Sequence, residues 1–202
     1  MALPTFNPMQ VTNAAGTFYA QSTGYVSGVM LDDPAVRFAI DQGINTPGGS
    51  AVLYGGMAIT ESGITPGTEV GSVMSVLALA SAETNITGFT VFNQSSALIQ
   101  TPQSPVPIAP PSGFINFCRL GSGARIVVPV SAVDAAAMQG QPVNQLVYWD
   151  YTNQVLLHNA GGTAIPVKVL DINVGNSQVP SYSSGTGFYT WNYTGSSAVI
   201  QI

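Results

Sequence analysis

The chain carries very little charge, and this constrains its fold more than any other feature. Only 6 % of its residues are Asp, Glu, Lys or Arg, against about 25 % in an ordinary soluble domain. No charged residue precedes Asp32, none lies between Glu83 and Arg119, and none follows Asp171. Yet 46 % of the chain is hydrophobic. A free monomer needs more charge than this to keep its surface solvated and free of apolar patches. Much of the surface is therefore expected to be covered, by copies of the chain or by a larger assembly.

Length and charge exclude several classes of function. The 202 residues suffice for one large domain with a real core. The net charge is −5 and the only cations are Arg37, Arg119, Arg125 and Lys168. Phosphate binding needs clustered Lys and Arg, so no nucleic-acid partner is expected. The same shortage argues against a basic membrane-surface helix, and no apolar run is long enough to span a bilayer. Cys118 is the single cysteine, so no disulfide can form within one chain, and a small buried hydrophobe is the expected role. The N-terminal residues have no cationic or apolar leader pattern, so synthesis in the cytoplasm is expected.

Local patterns favour strands. Residues 1–16, with Pro4, Pro8 and Gly16, read as an extended arm, followed by a single β-rich domain over 17–202 with a possible subdivision near 159 and C-terminal strands over 165–202. Strand composition marks Thr17–Ala20, Gly24–Leu31, Ala51–Tyr54, Met57–Thr60, Ile86–Phe92 and Ala97–Ile99, and Val70–Leu79, ambiguous between strand and helix, is read as strand. Phe114–Leu120 and Ala124–Val130 are expected to form a hairpin about Gly121-Ser-Gly123. Gln145–Tyr151 and Gln154–His158 form another about Thr152-Asn153. Further strands are read at Ile165–Ile172, Gly187–Tyr193 and Ser197–Ile202. Two short helices are expected. One starts at Asp33-Pro34 and stops at Gly43, and the other runs from Ser131 as cap to Gly140 as stop. Many short strands at this spacing predict an all-β, jelly-roll-like β-sandwich with one or two short helices and extended arms.

The motifs of catalysis are missing. His158 is the sole histidine, ends an apolar strand and lies in no nucleophile motif. Asp32-Asp33 lacks the spacing of a calcium loop and reads as helix capping. The Gly-rich pieces carry no phosphate-binding Lys. No catalytic residue, cofactor site or metal site is assigned. Two stretches point instead to partner contact. Arg119 and Arg125 flank one tight turn, where they either pair with acids of their own protomer or reach an acidic neighbouring subunit. The Pro-rich stretch Thr101–Gly113 is a stiff extended loop. Within it Pro102, Pro105, Val106, Pro107 and Ile108 are either an exposed connector or a docking surface.

Several stretches resemble the structural cement (capsid decoration) proteins of tailed bacteriophages. They are Phe18–Gly28, Leu31–Phe38, Tyr54–Ile59, Ile86–Phe92, Thr101–Pro107 and Asn116–Arg125. The pieces Pro-Gln-Ser-Pro-Val-Pro and Arg-Leu-Gly-Ser-Gly-Ala-Arg are the most specific. The similarity covers about residues 1–158. The resemblance implies a non-enzymatic virion protein with a β-rich, jelly-roll-like fold, sitting on the capsid exterior as a homodimer or homotrimer and clamping the major capsid protein. It implies no catalytic residues.

The alternative is another virion β-protein, a tail, fibre or baseplate component with a receptor- or carbohydrate-binding face. Tyr148, Trp149 and Tyr151 on one hairpin and Tyr189, Trp191 and Tyr193 on a late strand motivate it, although such aromatics also build cores and subunit interfaces. A hydrolase on a β-sandwich is a third class, which finds no motif.

Overall fold

The structure, a computed structural model, describes residues 25–31, 39–63, 75–92, 105–158 and 161–202. Among the described residues the fold is all-β with one short α-helix. Eleven strands form two bodies. Strands β2 (Ile40–Asn45), β3 (Ala58–Ser62), β4 (Ser75–Leu79), β5 (Gly88–Val91) and β6 (Phe114–Arg119) close into a barrel in the order β2-β4-β3-β5-β6. The others are β1 (Met30–Leu31), β7 (Arg125–Val130), β8 (Val147–Asp150), β9 (Val155–His158), β10 (Lys168–Ser183) and β11 (Phe188–Gln201). They form a sheet in the order β10-β11-β7-β9-β8, with β1 on β7. The two layers are thus a closed barrel and an open sheet.

Alternation along the strands divides the side chains between two cores. On β6, Ile115 and Phe117 join the cluster inside the barrel with Leu53, Ile59 and Leu77. Cys118, of opposite parity to Phe117, joins the cluster between barrel and sheet. There Ala58, Phe89 and Val91 of the barrel meet Ile126, Val128, Trp149, Leu156, Val169, Ala198 and Ile200 of the sheet. Phe89 and Trp149 pack edge to face at 5.1 Å. Gly43 has no room for a side chain, because a Cβ there would lie 2.6 Å from Leu77 Cγ.

Two polar devices fasten the bodies together. Gln154 is fully buried and holds a left-handed backbone, φ 55°. Its Oε1 accepts from Trp149 Nε1 at 3.1 Å and from the Ala58 amide at 3.2 Å, and its Nε2 donates to Tyr151 O at 2.9 Å. Gly28, at φ +84°, lies against Gly55 so closely that a Cβ would stand 2.5 Å from the Gly55 carbonyl carbon. Its amide donates to Val127 O and its carbonyl accepts from the Phe92 amide, both at 2.7 Å. One residue thereby pairs with the sheet and with the segment leaving β5.

Several expected elements are found, and four differ. The expected strand Ala51–Tyr54 reduces to one isolated bridge, Leu53 opposite Ala109. Helix α1 (Ala132–Met138) forms as expected, with Ser131 Oγ accepting from the Asp134 amide. The β8–β9 hairpin also forms, with Asp150 opposite Val155. The helix expected from Asp33 to Gly43 is overturned in its second half. Ile40, Asp41 and Gln42 lie in β2, opposite Cys118, Phe117 and Asn116. Pairing on both edges of β2, with β6 and β4, outweighs the local capping pattern. Residues 32–38 lie outside the described residues, as do the 1–16 arm and the expected strands over 17–20 and 97–99.

Phe114–Leu120 and Ala124–Val130 are strands but do not form a hairpin. β6 has both edges taken by β2 and β5, and β7 is paired by β11 on one side and by β1 and β9 on the other. The glycine turn therefore passes the chain from barrel to sheet. The C-terminal region also differs, because one long hairpin, β10–β11, replaces three shorter strands. Its register shifts absorb the break expected at Thr194-Gly195-Ser196.

Replacing Gln154 by Ala strands the Trp149 indole N–H and the Ala58 amide in the interior. The expected loss is about 2–4 kcal/mol, read by urea unfolding followed through tryptophan fluorescence. Gly28→Ala is expected to lose about 3 kcal/mol, because it meets both a forbidden backbone region and a backbone clash.

Candidate interaction surfaces

One barrel mouth is closed by charge. Arg119 shares the inward parity of Phe117, Glu61 that of Ile59, and Ser75 that of Leu77, while Asp41 sits opposite Phe117. Four strands therefore bring these side chains to one end of the barrel. Arg119 Nε and Nη2 grip the two Glu61 oxygens at 2.7 and 2.6 Å, and Nη1 reaches Asp41 Oδ2 at 2.5 Å. Ser75 donates its hydroxyl to Glu61 Oε1. The guanidinium carbon lies 5.3 Å from the centre of the Phe117 ring. The Arg119 hydrogen bonds hold the Glu61 carboxyl below its ordinary value, against the opposing effect of partial burial, and the Ser75 hydroxyl adds to the lowering.

Of the two alternatives for Arg119, pairing within its own protomer is the one formed. Arg125 behaves differently. It lies on β7, is exposed, and makes no ion pair among the described residues. The turn between the two arginines therefore does not make them one site. Alternation and strand pairing send one into the barrel mouth and the other to an exposed position at the end of the sheet.

The Pro-rich loop closes the opposite end of the barrel. Pro102 lies outside the described residues. Val106 is completely buried in the barrel cluster, Ile108 packs against that cluster, and Pro105 and Pro107 are half-buried. Ala109 exchanges backbone hydrogen bonds with Leu53 at 2.7 and 3.0 Å. Asn45, buried at the end of β2, donates to Ala109 O at 3.0 Å and to Ala51 O at 2.8 Å. The apolar side chains of the loop face their own barrel, so Val106 is not available to a partner.

The late aromatics divide similarly. Tyr189 and Trp191 pack against the barrel, 5.5 Å from Tyr54 and 5.9 Å from Phe92. Trp149 and Tyr148 are buried. Other apolar side chains are exposed. Tyr182 (58 % exposed) and Phe188 flank the end of the β10–β11 hairpin, with Tyr182 5.0 Å from Tyr189. Val133 (81 % exposed) lies on α1 and Leu146 (67 %) just before β8. Val143 and Leu170 line a groove of about 370 Å³ between the end of α1 and the start of β10, which Gln145 also lines. Val133 follows the cap by two residues, so its outward position could have been read from the helix phase. The exposure of Tyr182 depends on the length of the β10–β11 hairpin, which only the register fixes.

His158, Ser131 and Asp134 come together, but in the contacts of a helix cap. The Ser131 hydroxyl donates to Asp134 Oδ2, and Asp134 Oδ1 accepts from the backbone amide of His158 at 3.0 Å. A serine nucleophile needs its hydroxyl on the imidazole and the imidazole on the carboxylate, and neither contact is formed. Cys118 is buried, and its thiol is pushed up to about 11, first by burial and then by Asp41. Among the described residues no three His, Cys, Asp or Glu side chains are grouped to hold a metal ion. No family model, curated protein or solved structure matches the chain.

The clasp should make stability depend on acid. The Glu61 carboxyl in the folded protein lies below its ordinary value of 4.5. Its contribution is therefore complete above that value and is lost as the pH falls through the folded one. Thermal unfolding is expected to move down as the pH drops below about 4.5, and Glu61→Gln should flatten that part of the profile. Arg119→Leu should cost about 1 kcal/mol near neutral pH, since the guanidinium is half-exposed and its pairs are screened.

Proposed function

We propose that this protein decorates the outside of a bacteriophage capsid, binding the lattice of the major capsid protein and stabilising the shell. The observation that carries this reading is a surface poor in charge that also exposes large apolar side chains in separate places. Val133 lies on α1, Leu146 just before β8, and Tyr182 and Phe188 flank the end of the β10–β11 hairpin, in a chain with 6 % charged residues. Such a surface favours burial against protein. The stretches similar to structural cement proteins, among them Arg119–Arg125, support the same reading.

Stabilisation would act by linkage. A protein that binds the assembled shell and not its free subunits shifts the equilibrium toward the shell, by about 2.7 kcal/mol per site when it is free at 100 times its dissociation constant. Sites repeated over a lattice add avidity when the protein is oligomeric. A homodimer or homotrimer would bury part of the apolar surface and present several copies of the remainder.

A second reading is a receptor- or sugar-binding virion component. The exposed Tyr182 ring beside Tyr189 favours it, since aromatic faces stack on sugars. Tyr189 and Trp191, however, are engaged with the barrel.

The test adds purified protein to shells stripped of decoration. Saturable binding and a higher disruption temperature are expected, together with a dimer or trimer by light scattering. No binding to shells, with hits on a glycan array lost in Tyr182→Ala, would replace the capsid reading with the second.

A further inference from the structure

We draw no further inference here: the strongest candidate, the groove of about 370 Å³ between the end of α1 and the start of β10 with Gln145, Leu170 and Asp171 among its walls, carries none because nothing in the structure shows what covers it.

Discussion

The structure depends on the face where the barrel meets the sheet. A five-stranded barrel this small holds few large side chains, here Ile59, Leu77, Ile115 and Phe117. Its outer wall would be an exposed apolar surface without the sheet. The sheet in turn has one apolar face, through Ile126, Val128, Leu156, Ala198 and Ile200, that needs a cover. Each body supplies the other's missing layer. Hydrophobic burial drives the contact, but it is not directional. The direction comes from Gln154, which receives hydrogen bonds from Trp149 in the sheet and Ala58 in the barrel, and from Gly28, which pairs with both bodies.

The barrel ends follow from the same economy of charge. A closed barrel has no free edges, yet its mouths must be filled. One mouth uses Arg119, Asp41 and Glu61, a large share of the charge in this chain, turned upon itself. The other uses the Pro-rich loop, whose stiffness lets Val106 and Ile108 cover the end at little entropic cost. Arg119, Val106 and Ile108, which looked suited to a partner, are engaged in closing the fold. The exposed surface includes the Arg125 and Lys168 end of the sheet, the far end of the β10–β11 hairpin and the region around α1.

Function is thereby moved away from the barrel. The aromatics that suggested a sugar face mostly pack on the barrel, and the Ser131, Asp134 and His158 cluster caps a helix. What remains outward includes the apolar side chains of Val133, Leu146, Tyr182 and Phe188 and the cations Arg125 and Lys168. Such a surface suits binding to a protein lattice, where many shallow contacts act together.

The all-β class was legible in the sequence because short β-branched and aromatic runs separated by Gly and Pro admit little else. Helix α1 was legible because its cap, acid and stop are local, and the β8–β9 hairpin because its two strands and turn are contiguous. The expected helix ending at Gly43 and the expected β6–β7 hairpin failed for one reason. Pairing partners come from residues distant along the chain, and a strand with both edges occupied overrides its local pattern. The same limit divided Arg119 from Arg125 and joined Arg125 to Lys168. Six residues along the chain place the two arginines on different bodies, while strand register sets residues 125, 201 and 168 in one row. The sequence by itself determined the scarcity of charge. Only the tertiary structure decided that Arg119 is engaged in the barrel mouth while Arg125 lies exposed on the sheet, because long-range strand pairing assigns each side chain its face.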